Sequence, residues 1–427
     1  MERGLLRNYK KRVISLLLII PVITVMLFLQ THIRTLAASE LEFSFAAGFY
    51  ESPIDLVLNS DVPNAKIYYT LNCTAPDPLK VGSGTFLYQA PIHIVDRSPE
   101  LNQFANIKAF GNGTPIAANI PIPKCTIVKA IAVSEAVQTK VYTNTYFIDP
   151  LKETKYNLPV FSLSTDPANL YDETKGLFVN QALQNSTDLA VYEKPLHLEF
   201  FDENGVQVLN QDTGVQLHGA STKFVQQKTL RIYARTEYDP INNKLDYPFF
   251  PGLKDSESNP ITSFKRILLR NSGNDFGDTM LRDAFNQILV GNLNFEEMAY
   301  RPAVAYVCGE FYGIVNIRER FDNEYVASHF PVKKSDVVMI GCPNANGGLE
   351  LAEGVQGDQA HYVNLNTFIN QKDLNIKANL DYVNTQIDLS SFKDYFAMEM
   401  FIVNTDWPGI NSKIWRSKQA VPLPGVK

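Results

Sequence analysis

The chain has 427 residues, 45% of them hydrophobic and 20% charged, with a formal net charge of -6. These values are ordinary for folded protein and set a prior of two or three domains; the acidic balance argues against non-specific nucleic-acid binding, which needs basic surface. The four cysteines, Cys73, Cys125, Cys308 and Cys342, form no CxxC pair, which excludes a zinc ribbon or a thioredoxin-type motif.

The N-terminus carries Arg3, Arg7, Lys10, Lys11 and Arg12 ahead of an uncharged run, Val13 to Leu29, rich in Leu, Ile and Val. A basic flank stays cytoplasmic while such a run enters the bilayer. The run is short for a span and long for a signal core. Thr35-Leu36-Ala37-Ala38-Ser39 offers a cleavage site, so residues 1–38 are either a cleaved signal peptide or an uncleaved anchor. Either way the rest is expected outside the cytosol, secreted or membrane-anchored, with membrane contact through this segment only.

Residues 43–149 read as an all-β sandwich. Ile54–Leu58, Lys66–Leu71, Ile92–Val95, Thr126–Ala132 and Val141–Phe147 alternate or cluster apolar residues between turn signals such as Asp61-Val62-Pro63-Asn64. In an oxidising compartment Cys73 and Cys125 pair, or both are free buried thiols; the sequence leaves the two open. Asp149-Pro150 and the polar stretch to Asn157 mark a linker. Strands follow at Leu196–Phe201, Val206–Val208, Gly214–Gly219, Thr229–Ala234 and Lys265–Arg270. A helical period then runs through Met280, Leu281, Ala284, Phe285, Ile288 and Leu289. Strands return at Pro302–Val307 and Tyr312–Ile317, and a second helix is predicted over Phe392–Val403. The fold class is α+β. The module is expected to make few contacts with residues 160–416. His197, His218 and His329 have no partner at metal-ligand spacing and read as ordinary histidines.

The stretch from Gly48 to Phe147, through Ala65–Leu71 and Thr126–Ala132, resembles the Ig-like module of chitobiase C-termini, a spacer or adhesion unit. Residues 158–427 carry several motifs in order. They are His218-Gly219-Ala220-Ser221 with Gln227-Lys228-Thr229-Leu230-Arg231, Leu269 to Asp275, Thr279 to Ala284, Arg301-Pro302, Tyr312-Gly313-Ile314 leading to Arg318-Glu319-Arg320, and Asn404-Thr405-Asp406-Trp407-Pro408-Gly409-Ile410-Asn411. This set resembles the spore-coat-protein-H (CotH) kinase family, with a divergent protein-kinase-like fold.

The resemblance implies ATP as cofactor, with Mg2+ or alternatively Mn2+, and transfer of the γ-phosphoryl group to Ser or Thr of an extracytoplasmic protein. Asp406 and Asn411 share the spacing of a kinase catalytic loop, where the Asp acts as base and the Asn ligates metal. Lys228 takes the place of the phosphate-binding lysine, with Gly219 and Ser221 in the loop over the phosphates. Glu319, beside Ile317, falls where a hinge meets the nucleotide. Arg282 and Asp283 read either as partners of Lys228 or phosphate or as surface charges. The side chains of Lys228, Asp406 and Asn411 are expected in one cleft, with Glu319 at its back. No Asp follows Asp406 in the sequence, so the second metal-binding Asp of such enzymes is missing; the kinase-like domain reads as incomplete and the chain as weakly active or inactive. The alternative is a non-catalytic surface or coat protein on the same scaffold.

Overall fold

A computed structural model of the chain describes residues 41–149, 157–182, 192–219, 221–341, 349–408 and 411–419. The apolar run Val13–Leu29 lies outside them. Among the described residues no helix is long and apolar enough to cross a membrane.

The N-terminal module has nine strands: β1 (Leu41–Phe43), β2 (Gly48–Tyr50), β3 (Ile54–Leu56), β4 (Leu58–Ser60), β5 (Lys66–Thr70), β6 (Phe86–Leu87), β7 (Ile92–Ile94), β8 (Thr126–Val133) and β9 (Tyr142–Ile148). A five-stranded sheet in the order β2-β9-β8-β5-β6 is faced by the pairs β1-β4 and β3-β7. Alternate residues of β8 and β9, Val128, Ala130, Ala132, Tyr146 and Ile148, fill the core between these layers. Their neighbours Ile127 and Phe147 face the other way, into a second core.

That second core belongs to a closed barrel. After β10 (Val160–Ser164) and the short helix α1 (Ala168–Tyr171) come β11 (Lys194–Phe201), β12 (Gln207–His218) and β13 (Thr229–Tyr233). The pair β14 (Leu245–Asp246) and β15 (Ser263–Phe264) precedes β16 (Arg266–Arg270), helix α2 (Arg282–Leu289), β17 (Tyr300–Val307) and β18 (Glu310–Arg318). The barrel order is β10-β11-β12-β13-β16-β18-β17, closed by the parallel pair β10-β17. Helix α3 (Asn323–His329) leads to β19 (Val337–Gly341) and β20 (Glu350–Glu353), which form a small sheet with β21 (Lys413–Ser417). Helices α4 (Ala360–Gln371), α5 (Lys377–Asn384) and α6 (Leu389–Phe401) intervene. Leu281, Phe285, Ile288 and Leu289 beside and on α2, and Phe392, Met400 and Phe401 on α6, are exposed.

The expectation of a contact-poor module is overturned. Cys73, Phe110, Cys125, Ile127 and Phe147 share one apolar core with Phe161, Phe201 and Tyr306 of the barrel. Phe147 meets Phe201 and Tyr306 edge-on, with ring centroids at 5.6 and 5.0 Å. The sandwich sheet is half-finished by itself: both faces of β8 are apolar, and the second face needs the barrel.

A carboxyl group is buried in this seam. Glu199 of β11 accepts from Thr145 N at 3.0 Å, from the Thr145 hydroxyl, and from Gln207 Nε2 at 2.7 Å. Burial outweighs these donors and pushes its pKa up from 4.5 to about 7. The neutral form is therefore favoured by folding. Its contribution is full below the unfolded value and is lost as pH rises through the folded one. Between about pH 5 and about pH 8, wild type should lose on the order of 2–3 kcal/mol more stability than Glu199→Gln. Urea melts across that range would read the difference, and parallel pH profiles for the two proteins would refute it.

Candidate functional site

The alternation that gives the barrel its apolar interior also builds its outer face. Leu230 pairs with Leu269 and Ile232 with Ile267 inside. One residue out of phase, Gln216, Arg231, Leu268 and Arg318 form a row across β12, β13, β16 and β18. His218, Arg266 and Arg270 stand two positions along their strands from this row, and Arg320, just past the end of β18, acts on His218 beside Arg231 and Arg270, so five arginines gather here. Arg231 donates Nη2 to His218 Nδ1 at 2.6 Å and Nη1 to the Tyr233 hydroxyl at 2.9 Å. His218 is pushed down to about 2, first by burial and then by Arg231, Arg270, Arg320 and Lys223. It is a neutral acceptor in a strongly positive field.

Acidic groups hold this face from its rim. Asp283, in the first turn of α2, takes Arg318 Nη1 at 2.8 Å and Arg270 Nε at 3.1 Å. Of the two readings for Arg282 and Asp283, neither meets Lys228: Asp283 anchors the arginine face, and Arg282 pairs with Asp275 at 3.4 Å. Asp322 caps α3 through Glu324 N and Tyr325 N and pairs with Arg266 and Arg320 at 3.3 and 3.2 Å.

Asp406 and Asn411 come together. Asn411 Nδ2 donates to Asp406 Oδ2 at 3.0 Å, and both side chains are exposed. The loop hangs from the end of α6, where Asn404 bonds Glu399 Oε2 at 2.6 Å and the Trp407 ring meets Phe396 at 4.5 Å. Beyond Asn411, Lys413 Nζ donates to Phe321 O at 3.0 Å, which ties the loop to the segment after β18. Lys413 also feels the charge of Arg320. Arg320 is thus the member of the arginine face that acts on the loop's anchor.

Lys228 has different partners. It is fully buried, and its Nζ donates to Phe110 O and to Lys223 O at 2.5 Å each, 3.7 Å from the Phe110 ring centroid. Burial pushes its ammonium down to about 8. The structure does not bring this ammonium to Asp406 and Asn411; it plugs the seam with the module. The loop before it is clasped the same way. Gln226 bonds Ala109 N and Ile107 O, and Phe224 O accepts from Asn112 N. Gly219 has φ +106, and a Cβ there would collide with the Thr222 hydroxyl, which explains the glycine. Ser221 opens the 3-10 turn Ser221–Phe224. Lys228→Met should cost about 1–3 kcal/mol by stranding two carbonyls, and should leave ATP affinity unchanged. A tenfold or larger loss of ATP affinity at unchanged stability would instead make Lys228 a phosphate ligand.

Glu319 is turned inward too. Its carboxyl accepts from Ala299 N at 3.1 Å and lies 3.4 Å from His329 Nε2. Burial pushes it up to about 8. His329 Nδ1 sits 2.9 Å from Tyr325 O and so carries the proton, leaving Nε2 to accept from the neutral Glu319 carboxyl. Its side chain closes the base of the connection between β18 and α3 and faces no cleft.

The arginine face fits a polyphosphate: Arg231 keeps a buried Nε–H without a hydrogen-bond partner among the described residues. The fit to metal is partial. Asp406 and Asn411 supply two oxygen ligands, and among the described residues no three His, Cys, Asp or Glu side chains come together. The arginine face was missed from sequence. Its signal was present, in Arg266-Ile267-Leu268-Leu269-Arg270 and Arg318-Glu319-Arg320, as alternation across strands.

A β-module seated on a closed barrel, followed by helices and an Asp–Asn loop, defines an α+β protein of two packed parts. Residues 215–422 match the family model of the CotH kinase protein, and residues 56–146 match that of the Fn3-associated module. The chain thus carries a match to the CotH kinase domain, with an Fn3-associated module before it, in the order the sequence motifs led one to expect. The barrel strands β10 and β11 precede the matched segment. No curated protein matches the chain.

Proposed function

We propose that this protein acts outside the cytosol as an ATP-dependent kinase of the CotH type, modifying Ser or Thr hydroxyls of a surface or coat protein. The observation that carries the reading is the paired Asp406 and Asn411 on a loop tied, through Lys413 and Phe321, to the edge of the arginine face. Phosphoryl transfer depends on positioning and charge neutralisation more than on covalent chemistry. In this reading Arg231, Arg270 and Arg320 receive the phosphates, Asp406 orients the acceptor hydroxyl and takes its proton, and Asn411 offers its amide oxygen to Mg2+. Bound metal would supply further neutralisation of phosphate charge. Arg231 replaces Lys228 in the clamping role given by the resemblance.

The test is equilibrium binding of ATP with magnesium, followed by transfer of labelled phosphate to a protein acceptor. Arg231→Gln should weaken ATP binding at least about tenfold, the loss of one charge-assisted contact, measured at a temperature where the variant, less stable for leaving His218 Nδ1 without its donor, is still folded. Absence of ATP binding by the wild-type protein at millimolar nucleotide would sink the kinase reading. It would favour the second one, a non-catalytic surface scaffold, for which the burial of Lys228 in the module seam speaks.

A further inference from the structure

The seam between module and barrel closes at Glu199 and gapes beside it. Thr145 of β9 donates to Glu199, and Asn210 Nδ2 of β12 donates to Thr143 O at 3.0 Å. Next to these ties lies a cavity of about 260 Å³. The module lines it with Phe43, Phe45 and residues 140–144, and the barrel with His197, residues 210–212 and Asp239 of the segment after β13. Lys140, Asn210 and Asp212 are exposed, so the cavity opens to solvent at their side. It is separate from the arginine face: Asp212 stands four residues before Gln216 on β12, roughly 13 Å along the strand.

His197 is the unsatisfied member of this wall. It lies on the outer side of β11, out of phase with Leu196 and Leu198 of the barrel core. Its side chain is 9% exposed, and its Nδ1 is 2.7 Å from Asp212 Oδ1 on the neighbouring strand. An ionised carboxylate only accepts, so Nδ1 carries the proton. Burial pushes the imidazole pKa below its ordinary value, which keeps the ring neutral and makes Nε2 an acceptor. That nitrogen is buried, with no hydrogen-bond partner among the described residues. A buried polar atom without a partner is a place for water or a ligand to complete.

The lining selects the chemistry of that ligand. Two carboxylates, Asp212 and Asp239, stand against one ammonium, Lys140, which disfavours an anion. Among the described residues no three His, Cys, Asp or Glu side chains come together, which disfavours a metal ion. An apolar molecule would strand Nε2 and the Asp212 carboxylate. A neutral molecule with several hydroxyls satisfies all of them, donating to Nε2 and to the carboxylate and accepting from an Asn210 N–H. Phe43 and Phe45 supply ring surface for its C–H face. The volume falls below the about 300–1,000 Å³ of sites for drug-sized ligands, which limits the occupant to about one ring. We propose that this cavity binds one pyranose ring of a neutral glycan, with His197 Nε2 and Asp212 accepting from its hydroxyls and a phenylalanine of the module lying against the ring. Asp212 then has two tasks, orienting His197 and taking a hydroxyl. The site needs both parts of the protein, and it stands independently of the kinase reading.

The test is equilibrium binding to the purified full chain, followed by saturation-transfer NMR. The probes are the methyl glycosides of glucose, galactose, mannose and N-acetylglucosamine, with glycerol as the acyclic control. At least one glycoside should bind with a Kd of about 1 mM, as suits a site that encloses a single ring. Asp212→Ala, at the exposed rim, and His197→Leu, which removes Nε2 at similar volume, should each weaken that binding about tenfold or more. ATP binding should stay at the wild-type level in both. If His197→Leu fails to fold, the rim variant carries the comparison alone. No binding of any glycoside at about 50 mM overturns the proposal and leaves Nε2 to an ordered water. Binding that the folded variants retain in full, or glycerol held as tightly as the glycosides, overturns it too. A wild-type protein that binds a glycoside and no ATP supports this site while the kinase reading falls, so the two fail separately.

Discussion

Asp406→Asn is expected to lower phosphoryl transfer by about 10²–10⁴-fold, the range a positioned general base contributes, while ATP affinity stays within about threefold of wild type. Asn fills the same volume, and its amide can still meet Asn411, so the loop held by Asn404 and Trp407 should keep its shape. What is lost is the carboxylate that orients the acceptor hydroxyl and takes its proton. Nucleotide binding is expected to survive because the phosphates are assigned to Arg231, Arg270 and Arg320, on different strands. Single-turnover transfer with saturating ATP separates the two quantities. Unchanged turnover in the variant would remove Asp406 from the chemistry. Loss of ATP affinity in parallel would make it a binding residue.

Glu310→Ala should cost about 3–5 kcal/mol, a large share of the roughly 5–15 kcal/mol that holds a domain together. The Glu310 carboxylate is buried at the start of β18 and accepts from three consecutive backbone N–H groups of the module, Gln103 at 2.5 Å, Phe104 at 3.0 Å and Ala105 at 2.7 Å. Alanine would leave all three donors in the seam without an acceptor, and nothing nearby can replace it because Lys124, the other buried charge there, is also a donor. Urea denaturation monitored separately for the module and the barrel should show both transitions moving together. A loss under about 1 kcal/mol would mean that the 103–105 segment is held by its apolar contacts alone.

Strands with local signatures were legible in the sequence. Lys66–Thr70, Thr126–Val133, Thr229–Tyr233 and Arg266–Arg270 fall where β-branched and apolar residues alternate. Two predicted strands, Val206–Val208 and Gly214–Gly219, proved to be one, β12, because the polar Asn210-Gln211-Asp212 between them pairs with Glu199, Leu198 and His197 of β11, and Asn210 reaches Thr143 O of the module while Gln211 reaches Asn242 O. The helix whose period starts at Met280 begins later, at Arg282, because Asp275 takes Leu281 N and Arg282 N and holds the preceding residues. Of the site, the Asp406–Asn411 pair was legible because both partners lie in one short motif. The partners of Lys228 were not: Phe110 is supplied by the module, and no local pattern encodes a contact across that distance. The arginine face was illegible for a related reason. Its rows depend on which strand pairs with which, and β16 pairs with β18 across the whole of α2 and β17.

The parallel pair that closes the barrel also sets an order of events. β10 lies just after the module, yet its partner β17 is reached only after every other barrel strand except β18 has been made. Sequence-distant pairing of this kind carries the full entropy of closing a long loop before it is rewarded. During synthesis the apolar faces of β8, β9 and β10 must wait, open, until residue 307 has emerged. Such a chain gains from being kept extended on its way to its destination and from folding in a single late step, when the β17–β18 hairpin arrives with both the closing strand and Glu310. The slowest phase of refolding should therefore be the same whether it is followed at the module or at the barrel.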